Sequence, residues 1–495
     1  MNLSNLILQR AARDPEAVAV IEDGHHLRYA DLSAGVLRVS AALAARGVGR
    51  GVVVGLLSAH VVPHLILTLA IARAGAVSMP AGSGATLDER LRPLRAAGAR
   101  LVLCERVPAA DEGGEGFEFV AADESLLRAG SADASAGWVP DEGDSVWRLT
   151  LSSGTTGEAK IIPLTHEHSI THLLAHNTVL RYGPDTRLFF LLGMNTSFAL
   201  LHCLQQLLHG GGVVAYSSQL IDAIALCRAH GVTHMLASPA SAAALADRVA
   251  DASVADGPPL PDLQLYLGGG AVSDALRATL ARKVTPRVGI VYGSSELGLV
   301  AIADAQTFAR HPRCAGRLVP WALAEAVDAQ GKALPPGTRG ELRFQFLGRF
   351  DGYLGDPQAT ARHLRDGWYY PGDLGRVERD GLLYVDGRVN ELVNVGGDKF
   401  LASSVEQALE THPDVVEAGV VAADLPTGGR VLLAVVVSRG AFDEAAILEH
   451  VRPRLGRRTP ARVFRADALP RNEMGKLVRA RLAQGLSNAL GGRAG

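Results

Sequence analysis

Apolar residues in this chain fall into short runs that alternate with stretches of helical spacing. Val52 to Ser58 (VVVGLLS) reads as a buried strand, His64 to Ala76 (HLILTLAIARAGA) as a helix, and AVSMPA as the next strand. ARLVLC, GGVVAY, VTHMLAS and LQLYLGGG repeat the pattern, each beside a helical stretch. Strands that are apolar along their whole length and separated by helices predict an α/β fold with parallel sheets covered on both faces. Between Val107 and Asp144 the character changes. Asp111, Glu112, Glu115, Asp123, Glu124, Asp133, Asp141, Glu142 and Asp144 sit among Gly, Ala and Ser, which predicts an exposed connection with one short strand. After Gly340 the chain becomes β-rich, and ERDGLLYV reads as a hairpin turning at Asp380-Gly381. Beyond Asn390 a smaller α+β unit begins. Ser403 and Glu406 have the spacing of a capping box at a helix start, and EAGVVAAD and VLLAVVVS read as strands. A boundary at Val389 to Glu391 gives domains of residues 1–389 and 390–495.

Bulk properties narrow the function more than the fold. A chain of 495 residues is too long for one core. Its 48% hydrophobic and 20% charged residues are an ordinary globular balance, and a formal net charge of -2 offers no field for nucleic acid or an acidic membrane. Cys104, Cys203, Cys227 and Cys314 lie far apart with no CxxC pair, so neither a disulfide framework nor a zinc site is indicated. No His/Cys cluster suggests a transition-metal site. The N-terminus MNLSNLILQRAARDPEA lacks the basic start and long apolar core of a signal peptide, and no apolar stretch has the length of a membrane span. A cytoplasmic location is expected.

The segment RLTLSSGTTGEAKIIPLTHEH carries the first clear chemistry. Arg148 to Ser152 alternates like a strand, a loop follows from Ser153 to Glu158, a second strand runs from Lys160 to Leu164, and Thr165 begins a helix. The loop gathers Ser152, Ser153, Thr155 and Thr156 around Gly154 and Gly157. Glycines allow close backbone approach to an anion, and hydroxyls and N–H groups donate to it. Lys160 adds a point charge. A Walker A loop is excluded, because there the lysine would open a helix. A plain hairpin turn would rarely need four hydroxyls, two glycines and a lysine.

This segment closely resembles the phosphate loop of the adenylate-forming superfamily, which includes acyl-CoA synthetases, adenylation domains of peptide synthetases, and luciferases. The resemblance extends over almost the whole chain, because the other family motifs follow in order. LYLGGGAVSDAL places Gly268, Gly269 and Gly270 where the family turn lies against adenine. VGIVYGSSELG supplies Tyr292, Gly293, Ser294, Ser295 and Glu296. The resemblance implies that Tyr292 stacks on adenine, that Ser295, standing in for a threonine, contacts phosphate, and that Glu296 holds Mg²⁺. GWYYPGDLG supplies Asp373, the acceptor for both ribose hydroxyls, with Pro371 in place of the usual threonine. YVDGRVNELVNVGGDKF supplies Arg388 for ribose or phosphate, Asn390 at the hinge, and Gly396 and Gly397 at the turn that serves thioester formation. LPRNEMGKLVR supplies Lys476, which bridges carboxylate and α-phosphate. The implied fold has a large N-terminal AMP-binding domain, with parallel and mixed sheets and a distorted β-barrel, and a small mobile C-terminal lid domain bearing the catalytic lysine. Lys476, Glu296 and Lys160 are the implied catalytic residues.

RLFFLLGMNTSFALLHCLQQLLHGG resembles the acyl-pocket segment. Asn195, Thr196, Phe198 and Gly269 are its candidate lining. Amino-acid-activating members carry an aspartate near this place, so the uncharged Asn195 disfavours an α-amino acid and points to an aryl or medium-sized acid. Asn195 and Phe198 packing in a core segment is nearly as good a reading. His202 and His209 read as core or helix-surface residues. Arg452, Arg454, Arg457, Arg458, Arg462 and Arg465 form either a solvated face or a dock for CoA phosphates or an acidic carrier protein. The resemblance implies ATP-dependent formation of an acyl-adenylate with release of pyrophosphate, then transfer to CoA. Loading of a carrier protein's phosphopantetheine in trans, or transfer to a nitrogen nucleophile, is the alternative. A non-catalytic nucleotide-binding protein is a third reading, opposed by the intact Lys476, Glu296 and Asp373.

Overall fold

The fully apolar strands that open the chain pair side by side. In the computed structural model, Val53–Leu57 lies between Val77–Pro80 and Leu101–Cys104, all parallel. Glu118–Ala121 flanks one side and Val146–Leu151 the other, and Ile161–Thr165 turns back antiparallel to finish a six-stranded sheet. Val77–Pro80 and Leu101–Cys104 are buried at every position, which is why no polar alternation marks them. Gly55 admits the covering helix Leu87–Ala96: a Cβ there would stand 2.7 Å from Leu94 Cδ1.

A second sheet has at its centre five parallel strands in the order Val288–Ser294, Gln264–Leu267, His234–Ala237, Arg187–Phe190, Gly212–Ala215, with Val18–Glu22 parallel beside the last. Antiparallel strands flank these parallel ones: His25–Arg28 at one side, Gly298–Ala303 and then Gly316–Leu318 at the other. Each connecting helix buries an apolar stripe, and Met235, Leu265, Leu267 and Leu280 are fully enclosed between sheet and helices.

The structure describes residues 1–82, 86–122, 143–152, 160–216, 222–250, 257–348, 350–395, 398–424, 430–440, 442–471 and 477–491. Both sheets belong to one compact unit, made of the described residues of 1–152, 160–323 and 346–362. A second unit takes those of 324–345 and 363–495. Here Gly340–Phe346, Asp373–Val377 and Leu382–Arg388 form an antiparallel meander. It is followed by the hairpin Leu392–Val395 with Asp398–Leu401, and by a three-stranded sheet, Val415–Asp424, Arg430–Ser438 and Arg462–Arg465. Helices Ala402–Leu409 and Glu444–Leu455 pack on that sheet through Val405, Leu409, Ile447 and Val451.

The Asp380-Gly381 hairpin forms, with Gly381 at φ +80. The acidic stretch contains the short strand Glu118–Ala121 and a 3₁₀ turn Ala110–Glu112, while 123–142 lies outside the described residues. Two sequence expectations need correction. The helix expected over His64 to Ala76 runs Val61–Arg73. It starts early because Glu22 accepts from the Val61 and Val62 N–H groups at 2.6 and 2.9 Å, a distant carboxylate capping the helix. The capping box at Ser403 does not form. The helix begins at Ala402, Ser403 Oγ donates to the Asp386 carbonyl, and Glu406 is engaged by Val420 N–H and Arg479. The four cysteines are buried and free, and among the described residues no helix is long and apolar enough to cross a membrane.

Candidate active site

Strand Val288–Ser294 delivers the Tyr-Gly-Ser-Ser-Glu motif. A bulge between Tyr292 and Gly293 twists its antiparallel partner away, and the carbonyl of Gly298 packs so closely on Gly293 that a side chain there is excluded. Ser294 Oγ accepts from Leu297 N–H, which closes the turn around Glu296. Glu296 is only 6% exposed, and its Oε1 accepts from the Tyr353 hydroxyl at 2.9 Å. Phe350 meets the same Tyr353 ring edge-on, and Lys160 Nζ lies 4.8 Å from its centroid. One tyrosine therefore touches both the carboxylate and the loop lysine. Among the described residues the other oxygen of Glu296 accepts no hydrogen bond.

Ser152 and Lys160 form the neck of the candidate phosphate loop: Ser152 Oγ accepts from Lys160 N–H at 2.9 Å, and Ser152 N–H donates back to the Lys160 carbonyl at 2.8 Å. The hydroxyl of Ser152 thus fixes the base of the loop. Ser153, Gly154, Thr155, Thr156 and Gly157 lie outside the described residues.

Sequence reasoning missed a column of histidines beside this turn. The helix His166–Leu180, capped by Thr165 Oγ1 on His168 N–H, carries His168, His172 and His176 at four-residue intervals. The His168 and His172 rings meet tilted at 4.0 Å between centroids, and those of His172 and His176 stack at 5.0 Å. His176 Nε2 accepts from Leu299 N–H at 3.1 Å, and His172 Nε2 donates to the Leu347 carbonyl at 2.8 Å. The column therefore grips both the strand that follows Glu296 and the segment that leads to Tyr353. Gly298 (φ +64) and Gly348 (φ +99) allow this approach, since Cβ atoms would stand 2.6 and 3.1 Å from the His172 ring. Burial, then neighbouring charge, pushes His176 down to about 3 and His172 well below the usual range, so both rings are neutral near pH 7. The spacing HxxxHxxxH was the available signal.

In the acyl-pocket segment, Asn195 is half-buried, and Gly193 backs directly onto its carboxamide oxygen. The Thr196 hydroxyl is committed to the cap of helix Ser197–Leu208: it accepts from Ala199 N–H and donates to the Gly193 carbonyl. Phe198 stacks edge-on against His202 at 4.9 Å and lies over Gly268, where a Cβ would meet its ring at 2.9 Å. Gly269 occupies φ +85, and Gly270 backs on Pro239. His202 is buried beside Tyr182 and held neutral, and His209 is the C-cap of the same helix.

In the second unit, Asp373 and Arg388 are direct partners across the meander, with Arg388 Nε 3.1 Å from Asp373 Oδ1. Asp373 is 5% exposed. Asn390 is exposed in the 3₁₀ turn Val389–Glu391. Arg471 and Leu477 pair as an antiparallel bridge on either side of 472–476, while Lys476, Gly396 and Gly397 lie outside the described residues. Two of the six clustered arginines, Arg458 and Arg462, are ion-paired to Asp398 and Glu444 at 2.7 Å, and all six are exposed.

Among the described residues no group of three or more His, Cys, Asp or Glu could hold a metal ion. A single carboxylate such as Glu296 suits Mg²⁺ that arrives bound to substrate phosphates, because that ion keeps most of its ligands as water and phosphate oxygen.

The chain matches the family model of AMP-binding enzymes over residues 7–354 and that of the AMP-binding enzyme C-terminal domain over residues 404–476. It is 30% identical over 490 residues to feruloyl-CoA synthase of Amycolatopsis sp, covering 95% of this chain and 96% of that protein. It is 28% identical over 502 residues to 4-chlorobenzoate–CoA ligase of Arthrobacter sp, covering 97% and 94%. Among solved structures it resembles the o-succinylbenzoate CoA synthetase of Bacillus subtilis in complex with its acyl-adenylate, with a TM-score of 0.87 at 24% identity and 97% of each chain covered. ATP-bound MatB from Rhodopseudomonas palustris matches with a TM-score of 0.86 at 25% identity, covering 98% and 99%.

Proposed function

The chain belongs to the AMP-binding enzyme family, and on that premise we propose that it is an acid–thiol ligase that activates an aromatic carboxylic acid with MgATP and passes the acyl group to CoA. The observation that carries this reading is the row Glu296–Tyr353–Lys160, which joins the motif turn to the neck of the phosphate loop.

In the first half-reaction a carboxylate oxygen attacks the α-phosphorus of ATP. A P–O bond forms, the bond to the bridging oxygen of the β-phosphate breaks, and pyrophosphate leaves. Two like charges must approach, so cations have to be in place beforehand. Lys160 and Lys476 supply positive charge from the protein. Magnesium, when bound, neutralises phosphate charge, and Glu296 is the residue that would hold it. Tyr353 orients that carboxylate, and Asp373, steadied by Arg388, would accept from the ribose hydroxyls. In the second half-reaction the CoA thiolate attacks the acyl carbon, a C–S bond forms, and AMP departs with the C–O electron pair. Gly396 and Gly397 would line the thiol's approach, with Asn390 as hinge between domains 1–389 and 390–495.

The aromatic preference is supported by the feruloyl and 4-chlorobenzoate relatives and by the Asn195 and Phe198 segment beside Gly268. Asn195 provides no charge to pair an α-ammonium group. Pyrophosphate exchange with a panel of acids, followed by product analysis with CoA, tests the reading. Exchange with hydroxycinnamates or substituted benzoates and a CoA thioester as product are expected. No exchange with any acid despite ATP binding would sink it. Exchange without a thioester would turn the assignment to a carrier protein or an amine as acceptor.

A further inference from the structure

The face of Val146–Leu151 that meets helix Val61–Arg73 carries a charge that the proposed reaction does not use. Arg148 is 0% exposed, and among the described residues its Nε, Nη1 and Nη2 have no hydrogen-bond partner. Among the described residues no carboxylate pairs with it. Its register neighbour on the adjacent strand is Ser78, also 0% exposed, whose hydroxyl has only a long 3.3 Å bond to the Trp147 carbonyl. From the helix above come His64 and Thr68, one turn apart on the same face and 1% and 0% exposed. Among the described residues the Thr68 hydroxyl has no hydrogen-bond partner and neither ring nitrogen of His64 makes a well-formed hydrogen bond, the Ser58 backbone being its nearest polar neighbour. Burial, reinforced by the charge of Arg148, pushes His64 down to about 3, so its ring is neutral. Burial lowers Arg148 only to about 9, which leaves it cationic at pH 7.

The cluster offers donors: five guanidinium N–H groups, two hydroxyls and one imidazole N–H, with no negative group to meet them among the described residues. An enclosed cation without counter-charge is among the costliest arrangements a core can hold. Apolar residues of similar volume would fill this space at no such cost, so four buried polar side chains on facing surfaces of one strand pair and its covering helix call for an acceptor of negative charge.

We propose that Arg148, Ser78, His64 and Thr68 form a buried binding site for a small inorganic anion of the size and charge of chloride. The near-zero exposure of all four excludes the nucleotide and the carboxylic acid as occupants. The anion acts on the site above it through the strand. On the same face as Arg148, Thr150 Oγ1 accepts from Ser197 Oγ at 2.8 Å, and Ser152 begins the neck of the phosphate loop two residues further on.

Thermal unfolding of the intact chain at constant ionic strength tests this. Exchanging gluconate for chloride is expected to raise Tm saturably by about 2–5 °C. Arg148→Met removes the response, and Thr68→Val, which keeps the guanidinium, raises the half-effect chloride concentration about tenfold. Crystals grown in bromide give an anomalous peak in contact with the Arg148 guanidinium. Equal Tm in both salts together with no such peak overturns the proposal, as does density showing ordered water alone around the guanidinium. If Arg148→Met does not fold, Thr68→Val and the bromide map decide.

Discussion

Glu296, the proposed Mg²⁺ ligand, illustrates how a candidate site residue depends on neighbours that carry no chemistry. Its backbone position is fixed by Leu299, whose buried N–H has the His176 ring nitrogen as acceptor. Replacing His176 with Leu leaves that N–H unmet. Stability should fall by about 1–3 kcal/mol, and the MgATP concentration for half-maximal exchange should rise. His176→Gln retains an acceptor and should recover most of both. Urea melts and titration of MgATP check this: equal defects in the two variants would mean that the ring acts by packing alone. Glu410 gives a pH signature. Burial, aided by the charges of Glu406 and Glu417, raises its carboxyl from 4.5 to about 7. The folded state thus holds this proton more tightly than the unfolded chain. Its stabilising contribution is complete below about pH 4.5 and is lost as pH rises through 7. Glu410→Gln, which stays neutral, should therefore gain on the parent between pH 5 and 8, by up to about 3 kcal/mol. Parallel denaturation curves across that range measure the gain, and a constant difference would refute it.

Helices and strands show where local pattern suffices and where it does not. The apolar strands Val53–Leu57, Val77–Pro80 and Leu101–Cys104 lie within a residue or two of their expected limits, because a run buried on both faces is visible in sequence. Thr165 begins its helix as expected, since its hydroxyl caps a neighbour three residues on. Val61–Arg73 was misplaced because its cap comes from Glu22, thirty-nine residues earlier. Ser403 and Glu406 had the right local spacing, yet Glu406 forms a better pairing with Arg479 from far along the chain. Glu22→Ala should destabilise the protein by about 1–2 kcal/mol, the range for loss of a helix cap. A shift in the urea midpoint without a change in slope would agree with this, and no shift would assign the capping of Val61–Arg73 to solvent.

At the scale of the whole molecule the proposed reaction divides between two half-reactions. Lys476→Ala should abolish pyrophosphate exchange by roughly 10³-fold or more, as for loss of a charge made for the transition state. It should spare thioester formation from supplied acyl-adenylate. Equal loss of both would contradict separate roles for Lys476 and for the Gly396–Gly397 turn.

The sequence by itself determined the class of fold and the family, because both depend on composition and on motif spacing within short windows. Glu296, Asp373 and Arg388 could be named as candidates from their motifs alone. Only the tertiary structure decided which residues serve them: Tyr353 on Glu296, the histidine column behind the turn, and Arg388 in register with Asp373. It also decided that Arg148, which in sequence merely alternates along a strand, is fully enclosed and has no hydrogen-bond partner among the described residues. Such pairings join distant positions, and the burial that sets their energies is a property of the folded chain rather than of any segment.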